Sequence, residues 1–423
     1  MFPIIKLVLT TIALAMVNNS CVGVSEENDP FEGLKEEYEI AFKYLPIDLQ
    51  QDAKLLVPDL IKKYDYPIEI HTIQSKDGYI LEIHRIPYGK QDLSDNRTAV
   101  YLQHGILASS ADWVLPGPGK GFGYILADAG YDVWMPNVRG NRYSRKHIKL
   151  DPLKDAKEFW DFSWHEIAID DVPTIVDYIR EQTGQDKFFY IGHSQGTTLS
   201  YVMLSEKEDY NDQFKAIFSL APIAYMGRMT SPILQVISMF SDNLEPIFNK
   251  LGMHEFLPRT DFLAKVGEKF CGDTSAFQIL CINSLFAVSG FNRKQMNSTL
   301  VPVIMGHTPA GSSSKQLIHY AQGIISGKFR QWDYGSIGNL RNYGSLAPPK
   351  YKLENVKVPV YIYYSQNDWL SNTNDVDKLA NELRNVQGRF LIADSRFSHV
   401  DYVYGIEAPQ LVYYEILDIM EKH

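Results

Sequence analysis

Cysteine is scarce in this sequence: Cys21, Cys271 and Cys281 are the only three in 423 residues, which excludes a disulfide-dense scaffold. Basic charge is in deficit, with 41 Lys and Arg against 51 Asp and Glu and a net charge of −10. A nucleic-acid partner requires a concentrated basic surface, so that class is set aside, whereas neutral lipid exerts no selection on charge. Long apolar runs are also missing. No stretch beyond the N-terminus is long and apolar enough to span a bilayer, so no transmembrane anchor is expected. Neither H-E-x-x-H nor a paired-cysteine cluster occurs, and the glycine-rich Gly117 to Gly123 fits neither P-loop nor dinucleotide spacing. No metal or other cofactor is expected.

What is present describes a large globular chain. Hydrophobic residues make up 45% and charged residues 22%, a balance that supports a sizeable core and excludes wholesale disorder. The length allows one to three domains. Met1 to Lys6 carries one positive side chain, and Leu7 to Val17 is a mostly apolar run of 11 residues ended by Asn18, Asn19 and Ser20. That pattern predicts a signal peptide over residues 1–23, cleaved near Gly23, with a buried N-terminal helix as the competing reading. Residues 24–58 follow as an N-terminal segment whose polar stretch, Ser25 to Glu37, is expected to be poorly ordered.

Export has consequences for chemistry. Loss of Cys21 leaves Cys271 and Cys281, which read as one disulfide or as two free buried thiols. Asn96-Arg97-Thr98 and Asn297-Ser298-Thr299 are glycosylation acceptors that only an exported chain uses. No C-terminal retention signal is present, so secretion is favoured over the lysosome, and a monomer is expected.

Apolar, β-branched runs predict strands at Glu69 to Ile73 and Tyr79 to Ile86, either side of the turn Asp77-Gly78. Further strands are predicted at Thr98 to Gln103, Tyr131 to Met135, Lys187 to Ile191, Ala216 to Ala221, Val358 to Tyr364 and Arg389 to Ala393. Helical patterns such as Ile167 to Arg180 and Val376 to Leu383 lie between them. This alternation implies an α/β fold, a mostly parallel sheet with helices on both faces. The rhythm breaks between about Tyr225 and Lys352, where Ser231 to Leu257 and Phe277 to Phe291 read as helical. The expected organisation is a core of residues 59–224 and 353–423, with residues 225–352 a helical cap over one end of the sheet.

Gly192-His193-Ser194-Gln195-Gly196 sits between a predicted strand and the helix-compatible Thr197 to Ser205, the context of a nucleophile elbow. A serine hydroxyl needs a base, and the base needs a third group to fix its tautomer. In this fold the chain order is Ser, acid, His. Asp368 follows the strand Val358 to Tyr364, and His399 follows the last predicted strand. Competing residues fit less well. Asp375 and Asp377 read as helix-start residues, Asp401 as an organiser of the His399 loop, and His307 and His319 as structural. The oxyanion donors are expected to be the N–H groups of Gln195 and of Ile106, after the turn at His104-Gly105.

Together these motifs resemble the acid lipase family, which includes gastric lipase and lysosomal acid lipase. The resemblance runs from about Asp59 to Met420. It rests on Tyr66-Pro67, Lys76 to Leu81, Gln103-His104-Gly105, Ala127 to Trp134, Gly192 to Gly196, Pro309-Ala310-Gly311, Gly327-Lys328-Phe329 and Ser398-His399-Val400-Asp401. It implies an α/β-hydrolase core capped by a helical insertion with a mobile lid. It implies hydrolysis of triacylglycerols or sterol esters at a lipid–water interface, with Ser194, Asp368 and His399 as the triad. Cys271 and Cys281 look like the family's cap disulfide. Ile106 stands where the family usually has leucine and Tyr402 where it commonly has phenylalanine. Two other readings compete: an esterase for small soluble esters, and a non-catalytic lipid carrier on a hydrolase scaffold.

Overall fold

In the computed structural model, residues 47–90, 96–239, 241–257, 289–290 and 292–423 are described. The signal peptide, the polar stretch Ser25 to Glu37, Cys271, Cys281 and most of Phe277 to Phe291 lie outside these residues. The opening hairpin follows from its turn. Ser75 Oγ accepts the Tyr79 N–H at 2.9 Å, and Gly78 takes φ of 103°, a conformation open to glycine. β1 (Glu69–Gln74) therefore folds antiparallel onto β2 (Tyr79–Ile86), with Gln74 opposite Ile80.

The main sheet has nine strands, in the order β1-β2-β4-β3-β6-β7-β10-β11, with β5 (Lys146–His147) paired to β2. β2 meets β4 (Asp132–Pro136) antiparallel. From β4 through β3 (Ala99–Gln103), β6 (Phe188–His193), β7 (Phe214–Leu220), β10 (Val360–Tyr364) and β11 (Val386–Leu391) every pairing is parallel.

β3, β4 and β6 are buried at every residue, as strands covered on both faces must be. The two-residue period sends Val100, Leu102, Phe189 and Ile191 into one core, and Ala99, Tyr101, Phe188 and Tyr190 into the other. Helices Phe122–Asp128 and Tyr414–Met420 cover the first face; Val172–Thr183 and Gln195–Glu206 cover the second. Each such apolar side chain contributes roughly 1.5–3 kcal/mol on burial. The helix expected over Ile167 to Arg180 opens with a π-helical turn, Ile167–Asp171, because Pro173 has no N–H to offer the ladder.

Between Tyr225 and Lys352 the described elements are mainly helical: Pro232–Ser238, Ser241–Lys250, Val301–His307, Ser314–Ser326 and Gly335–Tyr343. One antiparallel pair also occurs there, β8 (Glu255–Phe256) with β9 (Ser312–Ser313). Two-residue strands are too short to leave a periodic pattern in sequence. Arg145, just before β5, grips Glu255 with two hydrogen bonds of 2.9 and 2.7 Å and ties this pair to the sheet.

One feature of the topology fixes where chemistry can occur. From β3 the chain passes to β4 on one side, and β6 later takes the place on the other side of β3. The loops leaving β3 and β6 start at the carboxyl ends of the strands where the order reverses, the usual ligand position in an open α/β sheet.

Candidate active site

Ser194 joins β6 to the helix Gln195–Glu206 with φ 54° and ψ −119°, a conformation that costs on the order of 1–3 kcal/mol for a residue with a Cβ. Its surroundings impose it. The Ser194 N–H donates to the Leu220 carbonyl at 3.0 Å, and Thr197 Oγ1 donates to the Ser194 carbonyl at 2.6 Å. A Cβ on Gly192 would stand 2.7 Å from the Gly196 carbonyl carbon and 2.9 Å from the Thr197 nitrogen. A Cβ on Gly196 would run into the carbonyl of Gln103. Strand and helix pass this closely only with glycine at both places.

His399 lies in the loop after β11, and its Nε2 is 2.7 Å from Ser194 Oγ. Its Nδ1 is 2.8 Å from Oδ2 of Asp368, in the loop after β10. The other oxygen, Oδ1, accepts the N–H groups of Leu370 and Ser371 at 2.9 and 2.8 Å, so the carboxylate cannot swing. A carboxylate only accepts, so the His399 Nδ1 carries the hydrogen and Nε2 turns a lone pair to the serine hydroxyl. All three side chains are buried, and Ser194 is 7% exposed.

Gln195 is the first residue of its helix, where an N–H has no intrahelical acceptor. The Ile106 N–H belongs to the next peptide after Gly105, and a Cβ on Gly105 would lie 3.2 Å from Ser194 Cβ. His104 fixes that peptide. Its Nδ1 donates to the Gly105 carbonyl at 2.8 Å, while Nε2 accepts from Val138 N–H at 3.4 Å and Asn141 Nδ2 at 3.3 Å. Burial pushes the His104 ring down to about 4, so it remains neutral. The Gln195 and Ile106 peptides thus both adjoin Ser194, one as the next residue in the chain and the other through Gly105.

Two supporting side-chain contacts leave no mark in the sequence. His193, a variable position of the elbow motif, donates from Nε2 to the backbone carbonyl of His399 at 2.8 Å. Burial, then the neighbouring His399, push its ring down to about 3, so it too is neutral. Gln195 donates from Nε2 to Gln316 Oε1 at 2.8 Å, joining the elbow to the helix Ser314–Ser326.

The competing residues are occupied elsewhere. Asp375 sits in the first turn of the helix Thr373–Glu382 and pairs with Arg228, and Asp377 pairs with Arg389. His307 bonds the Asp52 carbonyl and His319 the Arg330 carbonyl. Asp401 accepts the Ser398 N–H at 2.6 Å within the His399 loop. Asn96 and Asn297 are exposed. Among the described residues, no group of three His, Cys, Asp or Glu side chains is arranged to hold a metal ion.

Comparison with known proteins agrees with this arrangement. Residues 57–117 match the partial α/β-hydrolase lipase region, and residues 98–265 match the α/β hydrolase fold family. "Lipase 3" of Drosophila melanogaster is 44% identical over 359 residues, covering 85% of this chain and 91% of its own length. Gastric triacylglycerol lipase of Bos taurus is 36% identical, over 88% of this chain and 92% of that one. Lysosomal acid lipase/cholesteryl ester hydrolase of Homo sapiens is 35% identical, over 88% and 92%. A crystal structure from Sulfolobus solfataricus shares the fold, with a TM-score of 0.55 at 14% identity over 84% of this chain and 94% of that one. With the elbow, the strand order and these relatives in agreement, the chain belongs to the acid lipase family of α/β-hydrolases, that of the gastric and lysosomal acid lipases.

Proposed function

We propose that this lipase hydrolyses carboxylic esters of neutral lipids through an acyl-enzyme on Ser194. The observation that carries the reading is the continuous relay from Ser194 Oγ through His399 to Asp368, with links of 2.7 and 2.8 Å, at the carboxyl end of β6. His399 Nε2 takes the hydroxyl proton as Oγ adds to the ester carbonyl. The N–H groups of Ile106 and Gln195 receive the oxyanion, and losing one such donor typically costs ~10²–10³ in rate. His399 returns the proton to the departing alcohol, then draws one from water, which releases the fatty acid. Asp368 holds the tautomer and stabilises the imidazolium throughout.

Triacylglycerols and sterol esters both fit, since the two vertebrate relatives named for those substrates resemble this chain equally. In this reading residues 225–352 form the cap over the core of residues 59–224 and 353–423, and part of the cap moves as a lid to admit an acyl chain. Residues 1–23 direct export, the 24–58 segment leads into the core, Asn96 and Asn297 carry glycans, and Cys271 and Cys281 form a disulfide. The mature monomer is secreted, with the lysosome as the alternative destination. Among the described residues no helix is long and apolar enough to cross a membrane.

The test is Ser194→Ala. Turnover of an emulsified triacylglycerol should fall by several orders of magnitude with the thermal midpoint retained, and a fluorophosphonate probe should label the wild type alone. A variant that keeps its activity, or a wild type that resists the probe, removes Ser194 from the mechanism.

A further inference from the structure

The loops that carry Asp368 and His399 share a support from a distant part of the chain. The Ser289 carbonyl accepts the N–H groups of both Trp369 and His399, at 3.4 and 3.2 Å. A Cβ on Gly290 would run into the Asn367 carbonyl. Further along, Gln295 donates to Asp394 at 3.2 Å and to Glu407 at 2.7 Å, and accepts the Glu407 N–H at 2.9 Å. Between these contacts lies Asn292, 1% exposed. Its Nδ2 donates to Asp401 Oδ2 at 3.1 Å and to Asp394 Oδ2 at 3.2 Å.

Proton accounting around Asn292 leaves a deficit. Asn292 Oδ1, Asp401 Oδ1 and Ser398 Oγ are all buried without a hydrogen-bond partner among the described residues. The Ser398 hydroxyl stands near the Asp401 carboxyl and favours its anion, in a contact short of good hydrogen-bond geometry. If Asp401 is ionised, the buried acceptors Asn292 Oδ1 and Asp401 Oδ1 have one hydroxyl proton between them, and one of the two is left unmet. A proton on Asp401 Oδ1 removes the deficit. The carboxyl and carboxamide can then face each other, N–H to one oxygen and O–H to the other.

We propose that Asn292 and Asp401 are positioning residues for His399, acting as a neutral acid–carboxamide pair that holds the loop while Asp401 keeps its proton. The proposal rests on His399 being the base. Asp401 Oδ2 accepts the Ser398 N–H, one residue before His399, and the Asp401 N–H returns to the Ser398 carbonyl at 3.1 Å, so the pair grips the peptide next to the base. Burial pushes the Asp401 carboxyl up to about 7, against the Ser398 N–H, which favours the anion. Around it stand Asp394, served by the Arg396 N–H, the Tyr402 hydroxyl, and Glu407 across Gln295; Arg293 and Lys294 on the supporting segment point to solvent. As pH rises through 7, the lost proton turns the pair into a carboxylate facing an amide oxygen beside Asp394, and the grip on His399 loosens.

The test compares Asp401→Asn with Asp401→Ala and Asn292→Ala on a soluble ester between pH 5 and 8. Asparagine imitates the neutral acid and cannot ionise. Asp401→Asn should match wild-type kcat at pH 5 and exceed it about tenfold at pH 8, where a group titrating near 7 keeps about a tenth of its protons. The alanine variants should lose about tenfold or more in kcat at every pH with KM unchanged. An Asp401→Asn enzyme as slow as Asp401→Ala at pH 5, or one with the wild-type fall above pH 7, overturns the proposal. Fluorophosphonate labelling of the wild type checks the triad separately, so failure of the pair is distinguishable from failure of the mechanism.

Discussion

One close constraint on Ser194 is the passage of β6 against its own following helix, and Gly192→Ala tests it directly. The added Cβ meets only backbone atoms: the Gly196 carbonyl carbon at 2.7 Å, its oxygen at 2.8 Å and the Thr197 nitrogen at 2.9 Å, where ordinary contact begins at 3.4 Å. No side chain can rotate away, so strand and helix must separate by about 0.7 Å, the shortfall on the closest of these contacts. Overpacking of this kind costs about 1–3 kcal/mol. Ser194 lies inside the displaced bend, and a misplacement near 1 Å is worth up to ~10² in rate. The variant should therefore fold with a midpoint lowered by a few degrees, and kcat on a soluble ester should fall roughly 10- to 100-fold. Both are measured on purified protein, by thermal unfolding and by initial rates. Wild-type kcat with an unchanged midpoint would mean that the elbow has slack the geometry does not contain.

Gly323→Ala is the matching control: this glycine lies inside the helix Ser314–Ser326 with nothing within 4 Å of an added Cβ, so the variant should gain about 0.5–1 kcal/mol by denaturant titration. Arg139 is 1% exposed and bonds Asp171, itself fully buried; Arg139→Met should cost roughly 3–5 kcal/mol by stranding that carboxylate, with activity per folded molecule retained. Burial pushes Asp112 up to about 7, opposed by the Tyr404 hydroxyl that donates to it at 2.6 Å. A raised carboxyl gives stability that is complete below the ordinary carboxylate range and disappears as pH climbs through 7. Asp112→Asn should therefore gain on wild type between pH 4 and pH 8 in denaturant midpoints, by up to roughly 4 kcal/mol, and a constant difference across that range would refute the assignment.

The longer strands and the three relay residues are legible because each leaves a local mark. Ser194, Asp368 and His399 each follow a strand, so their place in the sequence already encodes the carboxyl end of the sheet. The supports left no such mark. His193 and the carbonyl it holds are 206 positions apart, and Gln195 and Gln316 are 121 apart; pairs of this kind obey no spacing rule. Asn292 sits in a stretch that reads as part of a helical insertion, and only the register of that stretch against the His399 loop gives it a task. Asp401 is readable as an organiser of its loop, since its carboxyl reaches only three residues back. Its partner is not.

The wide separation of the relay along the chain also bears on synthesis. A growing polypeptide displays the strained serine long before residue 399 exists, and the hydroxyl stays inert until the final strand has docked. Under the proposed mechanism the chain is thus without its base throughout its assembly. Its first turnover reports that the last fold of the sheet is complete.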